Sequence, residues 1–172
     1  LAFIRSTALS GLDALNLLPV VLLLLGGFFL IGFELVVSNQ RSPQMEGVRR
    51  MISVFFFLNS AIAAGILFFL LNLDLSLFGG MLAISAFTHM GTLMLALVGL
   101  GTILIATPFH TEVSHGGEYY PLLFFAESGM ALMVHANDLI LFFVALELMS
   151  LSLYVLISSK QDRPIFAEGS LK

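Results

Sequence analysis

The sequence predicts an all-α fold, a polytopic membrane helix bundle with about five transmembrane helices. Hydrophobic residues make up 59% of its 172 residues and charged residues only 10%, whereas soluble domains carry about 25% charged residues. Five apolar segments are each long enough to cross a hydrocarbon core of roughly 30 Å as a helix. The segments also lack the alternating polarity of transmembrane β-strands. These observations together define the predicted fold class.

The predicted helices form a single transmembrane region within residues 1–172. Polar or glycine-containing segments separate them: Ser38–Arg50 with three arginines, Asn72–Gly80, Pro108–Glu118 and the tight turn Asn137-Asp138. Either residue of that turn is able to cap the fifth helix through its side-chain oxygen. Lys160–Pro164 ends the fifth helix. We therefore predict helices near residues 17–37, 51–73, 84–107, 119–136 and 139–158.

The distribution of basic residues predicts the orientation in the membrane. One side holds only Arg5, and the other holds the remaining six basic residues, in the 1–2 loop and the C-terminal tail. Loops rich in lysine and arginine stay on the cytoplasmic side. The N-terminus is therefore expected outside and Lys160 on the cytoplasmic or matrix side.

Several function classes are excluded by composition or by missing motifs. The chain has no cysteine, which removes disulfides, thiolate metal sites and iron–sulfur ligation. The net charge of −4 gives no basic patch for nucleic acid. Phosphate loops, nucleophile elbows and dinucleotide fingerprints are absent. His110, Glu112, His115 and Glu118 form a weak metal-binding pattern, and a solvated loop explains them better.

Glu147 is the strongest candidate for a functional residue. It lies near the middle of the fifth predicted helix, where an acid costs roughly 2.5–3.5 kcal/mol on insertion scales. Ser150 and Tyr154 follow at i+3 and i+7, so the three share one helix face. We interpret Glu147 as a proton-transfer residue, with Ser150 and Tyr154 as possible accessory groups. The alternative is a neutral acid that only hydrogen-bonds a neighbouring helix.

Other ionisable residues fall within or near the predicted spans. Glu34 lies about one turn from the end of the first helix, where snorkelling to the interface explains it. Glu127 could face Glu147 across the 4–5 turn or contact another subunit. His89 and His135 are possible proton-relay groups. His135, at the end of the fourth helix, is expected at the membrane interface.

Residues 118–172 resemble a known family. The pattern Ala136-Asn-Asp-Leu139, then Glu147-Leu-Met-Ser150-Leu-Ser-Leu-Tyr154, then Ala167-Glu-Gly-Ser-Leu-Lys172 is similar to the antiporter-like subunits of proton-pumping NADH:quinone oxidoreductase, respiratory complex I. The match is best to chain 2, the bacterial N subunit. Leu18-Pro19 fits that subunit's opening, whereas Val20, Ser85 and Glu127 depart from its usual residues.

The resemblance implies a role for this chain in coupling quinone reduction to proton transport. Glu147 would pair with a lysine on a later helix. Family members have about fourteen helices, so a companion piece would carry the remaining helices and their lysines. The partners would be other membrane-arm subunits and lipids, with no nucleic acid. No cofactor is expected in this chain, because the quinone, FMN and iron–sulfur centres would belong to other subunits.

Two further interpretations remain open beside this one. The chain could be a purely structural membrane subunit, or a subunit of a related cation/proton antiporter or membrane hydrogenase. The expected location is the mitochondrial inner membrane, with the bacterial plasma membrane as the alternative. The sequence starts at Leu1 and stops at Lys172, where a sixth helix would begin. We expect a naturally split or processed subunit rather than a truncated sequence.

Overall fold

The described part of the chain folds as the predicted bundle of long α-helices. The computed structural model describes residues 15–37, 43–70, 74–110 and 118–158. Within these ranges lie five helices, α1 (Leu18–Val37), α2 (Pro43–Leu70), α3 (Ala86–His110), α4 (Tyr119–His135) and α5 (Leu139–Ser158), with a short β-hairpin between α2 and α3. Four of these helices are long and apolar enough to cross a membrane, and α4 is shorter, with 17 residues.

Helix α2 begins earlier than the sequence predicted. Residues 43–50, assigned to an aqueous loop, form the first two turns of α2. Pro43 fits the start of a helix because the first-turn N–H groups have no intrahelical partner and its φ is already helical. Glu46 adds a negative charge near the positive end of the helix dipole. The arginines of this segment are therefore helical residues at the polar end of α2.

The segment after α2 contains a β-hairpin that was not predicted from the sequence. Strands β1 (Leu75–Leu77) and β2 (Leu82–Ile84) pair antiparallel, with Leu75 opposite Ile84. The turn contains Phe78 with φ 53°, followed by Gly79 with φ 69° and Gly80 with φ 98°. Glycine populates such left-handed conformations without steric cost, so the Gly-Gly pair allows the tight reversal.

The hairpin is fixed to the turn between α4 and α5. The backbone N–H of Asn137 donates to the Met81 carbonyl at 2.9 Å. Its side-chain Nδ2 donates to the Gly80 carbonyl at 2.8 Å. Asn137 therefore binds the hairpin through both its backbone nitrogen and its side-chain nitrogen. These contacts confirm that the 2–3 and 4–5 connections lie at the same end of the bundle, which we call the hairpin end.

The opposite end of the bundle is held by an ion-pair network. The Arg49 guanidinium donates to both carboxylate oxygens of Glu34, at 2.8 and 3.0 Å. The third guanidinium nitrogen, Nη1, lies 3.5 Å from a carboxylate oxygen of Glu46. The Tyr120 hydroxyl donates to Glu46 at 2.8 Å. The network joins α1, α2 and α4, and it explains Glu34 by a bidentate ion pair in addition to its position near a helix end.

Helix α4 is the central element of the bundle, since it contacts each of the other four helices. The main core cluster draws its buried residues from α1 to α4, and α5 contributes none to it. Within this cluster, the Phe124 ring of α4 stacks on Phe57 of α2 with centroids 4.2 Å apart. A second, smaller core cluster consists of Leu77, Leu82 and Ile84, which belong to the two strands of the hairpin.

Candidate intramembrane polar site

Glu147 lies on the face of α5 that this chain leaves uncovered. The α5 residues that are buried are Ala145 and Ser152, and Met149 packs closely on Gly129 of α4. At 100° per residue, Glu147 lies about 200° from both Ala145 and Met149, on the opposite side of the helix. Its side chain is exposed. Among the described residues, no hydrogen bond or ion pair to its carboxylate is present.

Ser150 and Tyr154 share the uncovered face but do not bind the Glu147 carboxylate. The Ser150 hydroxyl donates to the backbone carbonyl of Glu147 at 3.2 Å. The Tyr154 side chain is 57% exposed. This outward face is otherwise apolar, with Ile140, Phe143 and Leu151 all exposed. It therefore presents one acid and one phenol within a hydrophobic surface that other helices or lipid can cover.

Glu127 points into the bundle and does not face Glu147. Its side chain is only 2% exposed. Gly129 is the α4 residue that meets the backbone of α5, with an added Cβ only 2.8 Å from the Ala145 carbonyl oxygen. Glu127 lies about 200° from Gly129 around the helix, so it faces away from α5. Of the two expectations for Glu127, the approach to Glu147 is therefore wrong.

The Glu127 carboxyl is buried without full hydrogen bonding. Its Oε2 has no hydrogen-bond partner in the described part of the chain. Tyr120 and His135 lie seven residues before and eight residues after it, spacings that place all three on one face of α4. Their exposed fractions are 3% for Tyr120 and 1% for His135. One inward face of α4 thus carries three ionisable side chains.

His89 and His135 meet at the hairpin end of this row. His89 lies in the first turn of α3 and is fully buried. The ring centroids are 6.2 Å apart, with an interplanar angle of 69°. His135 lies at the end of α4, as predicted, and its ring is buried between helices; its position at the membrane interface stays a prediction. The spacing of eight residues places His135 on the same face of α4 as Glu127, but the sequence has no signal that this face is the inward one.

The remaining sequence candidates give no metal site in the described residues. Groups of three or more potential metal ligands are absent from the described ranges. Residues 111–117, which include Glu112 and His115, lie outside those ranges, and the side chain of His110 does as well. Glu118 is exposed at the start of α4. The weak metal pattern is therefore untested.

The fold and these side chains define a polytopic α-helical membrane protein with ionisable residues inside its helices. No protein-family model matches the chain. It is 30% identical over 168 residues to NADH-quinone oxidoreductase subunit N 1 of Solibacter usitatus, which covers 97% of this chain and 33% of the relative. The subunit N of Leptospira interrogans is 32% identical over 161 residues, 93% of this chain and 31% of the relative.

A third relative is matched over a shorter stretch at higher identity. The subunit N of Parvibaculum lavamentivorans is 37% identical over 102 residues, 59% of this chain and 21% of the relative. The resemblance predicted from the Glu147 motif is thereby confirmed. The chain is related to the N-terminal portion of the N subunit of NADH-quinone oxidoreductase. It spans about a third of the length of the curated relatives that match most of it.

Proposed function

We propose that this chain is the N-terminal part of a proton-translocating, antiporter-like subunit of NADH:quinone oxidoreductase. The relatives that cover nearly the whole chain bear the name of subunit N of that oxidoreductase. The bundle of long apolar helices suits a membrane-arm subunit. In this role the chain belongs to an enzyme complex without carrying a redox centre. The quinone, FMN and iron–sulfur centres reside in other subunits.

The observation that carries the proposal is the outward position of Glu147. An acid that faced the interior of this bundle would be closed off by the bundle itself. Glu147 instead lies on an apolar, uncovered face of α5, where a helix from outside the described bundle is able to bring a basic partner. Intramembrane acids are generally paired or line an ion pathway. Glu147 would accept and release a proton as the charge of that partner changes.

The proposed partners follow from the same geometry. Helices that correspond to the remaining two thirds of subunit N would cover α5, and neighbouring membrane-arm subunits and lipids would cover the other apolar faces. The protein would reside in a respiratory membrane with its N-terminus outside. The relatives reported above are bacterial proteins, which favours a bacterial plasma membrane over the mitochondrial inner membrane.

The experiment is the substitution Glu147→Gln in the assembled complex, reconstituted in lipid vesicles. Glutamine keeps the size and the hydrogen-bonding capacity of the side chain but is unable to carry the proton. We expect the number of protons pumped per NADH oxidised to fall while the complex still assembles. The measurement is proton uptake or release against NADH oxidation in the same vesicles.

The matched control is Glu118→Gln, which neutralises an exposed carboxylate at the start of α4. This control should pump as the wild type does. An unchanged proton-to-electron ratio in Glu147→Gln would reject the conducting role and favour a purely structural subunit. Purification of the chain without any quinone-linked NADH dehydrogenase would reject the assignment to this complex.

A further inference from the structure

The histidine pair at the hairpin end is a site that the proposed function does not use. His89 is 0% exposed and His135 is 1% exposed. They belong to different helices, α3 and α4, and their rings approach edge to face with a centroid separation of 6.2 Å. Imidazoles have two ring nitrogens that need hydrogen-bond partners. The arrangement therefore places up to four polar atoms in a buried space.

The hydrogen bonds present define the tautomer of His135. Its Nδ1 lies 2.8 Å from the Ala131 carbonyl oxygen. Because a carbonyl only accepts, Nδ1 carries the hydrogen, and Nε2 of the neutral ring is then an acceptor. This Nε2 has no partner among the described residues, and neither does Nδ1 or Nε2 of His89. Three buried ring nitrogens are thus left without a partner among the described residues.

The unsatisfied nitrogens are complementary to one another. A neutral His89 offers one donor and one acceptor, and His135 offers one acceptor. Each buried polar group without a partner costs about 1–3 kcal/mol. The rings make no direct hydrogen bond, since no such bond to either Nε2 or to His89 Nδ1 is present in the described residues. One water molecule makes two to four hydrogen bonds in buried polar sites, so a single water is able to partner one nitrogen of each ring.

We propose that His89 and His135 bind a water molecule between their rings, and that the pair holds a single proton across this water. In the neutral state His89 donates to the water, and the water donates to Nε2 of His135. When a proton binds, both nitrogens of His89 carry hydrogen, and the positive charge is stabilised through the water by the lone pair of His135. The site lies apart from Glu147, which faces outward from α5.

No fixed charge among the described residues competes for this proton. The nearest acid along α4 is Glu127, two turns before His135, and Asp138 follows three residues after it. Asp74 precedes the hairpin, and Glu147 lies on the far side of α5. In the described ranges, no carboxylate oxygen lies within 4 Å of a ring nitrogen of either histidine, since the ion pairs there are those of Arg49. The two histidines thus form the local titrating unit.

Infrared difference spectroscopy tests the shared proton. The protein, with the partners that co-purify with it, is reconstituted in lipid vesicles and taken through a pH step, and the imidazole ring bands are recorded. In His135→Gln we expect the imidazole band of His89 either to be lost or to change both its frequency and the pH at which it appears. The reciprocal variant His89→Gln should change the band of His135 in the same way. His115→Gln is the control and should remove only its own band.

A high-resolution electron microscopy map of the wild-type protein tests the water without any substitution. We expect density between the two rings, within hydrogen-bonding distance of Nε2 of His135. A dry gap, or a direct contact between ring nitrogens, would overturn the water site. A His89 band that keeps its wild-type frequency and pH in His135→Gln would overturn the shared proton. Because the map uses the wild type, the proposal remains testable even if both variants fail to fold.

Discussion

Helices α4 and α5 are neighbours joined by a three-residue turn, and each carries a glutamate near its middle, but their environments are opposite. In α4, ten residues are buried, among them Glu127. In α5, the buried residues are Ala145 and Ser152, and Glu147 is exposed. The difference arises because α4 contacts all the other helices, whereas α5 packs mainly against α4. Two neighbouring helices thus place the same residue type in two different surroundings.

The comparison shows what an intramembrane acid indicates in each case. Glu127 is enclosed by its own chain, so the contribution of its carboxyl to the free energy of unfolding depends on hydrogen bonds within the bundle. The state of Glu147 depends on whatever covers α5, so its role is defined by partners. The apolar outward face of α5 extends over most of the helix, with Leu139, Phe143 and Tyr154 exposed. A face of this kind suits lipid or another helix and not water.

The largest expected effect is at the contact between the two helices. A Cβ at Gly129 would lie 2.7 Å from the Met149 backbone nitrogen and 2.8 Å from the Ala145 carbonyl oxygen. Because both are backbone atoms, Gly129→Leu must push the helices apart. We expect a loss of about 3 kcal/mol or more in the free energy of unfolding, at the upper end of overpacking costs. The free energy of unfolding of the wild type and the variant is measured in mixed detergent micelles.

Gly32→Leu is the matched control for the helix contact. Gly32 also lies within a helix, and a Cβ there meets nothing within 4 Å. We expect a change within about 0.5 kcal/mol, as for ordinary surface substitutions. If both leucine variants lose similar stability, close packing between α4 and α5 is not the cause, and the contrast between the two helices weakens.

The sequence predicted the helices well because long apolar runs allow few alternatives in a membrane. Four of the predicted spans correspond to helices that meet the length and hydropathy of a transmembrane segment. The hairpin was missed because β1 and β2 have only three residues each, too few for a periodic pattern. The start of α2 was missed because the basic residues Arg49 and Arg50 are typical of a loop, although here Arg49 is helical and pairs with Glu34.

The site was harder to predict than the fold because facing directions depend on which helices become neighbours. The position of Glu147 was evident from its cost in hydrocarbon. Its outward direction was not, since polar residues of α5 lie both on the outward face, as Glu147 does, and on the buried face, as Ser152 does. The approach of His89 to His135 also depends on a contact between α3 and α4 that no local pattern defines. The roles of Glu147, His89 and His135 remain predictions.

The second expected effect concerns the two glutamates. Glu127→Met removes a buried carboxyl whose Oε2 has no partner in the described residues and keeps a side chain of similar length. We expect the free energy of unfolding to rise by about 1–3 kcal/mol, the cost of an unsatisfied buried group. Glu147→Met should change stability by less than about 0.5 kcal/mol, while it lowers proton pumping in the assembled complex.

Unfolding in the same mixed micelles compares the two glutamate variants. A loss of stability in Glu127→Met would contradict the prediction and would indicate that the carboxyl has a partner, such as a bound water. A large change in Glu147→Met would contradict the outward position of Glu147. Either result would reverse the comparison between the two helices.

The smallest expected effect concerns the two tyrosines. The Tyr120 hydroxyl, on α4, donates to Glu46 at 2.8 Å and joins the Arg49 network. Tyr120→Phe removes this bond and should lower the free energy of unfolding by about 1 kcal/mol, because the Glu46 side chain is 36% exposed and its carboxylate regains water. Tyr154 is 57% exposed on α5, so Tyr154→Phe should leave stability unchanged in the same unfolding assay. Equal losses in the two variants would mean that a partner binds the Tyr154 hydroxyl, and the outward face of α5 would then be structurally as constrained as the interior.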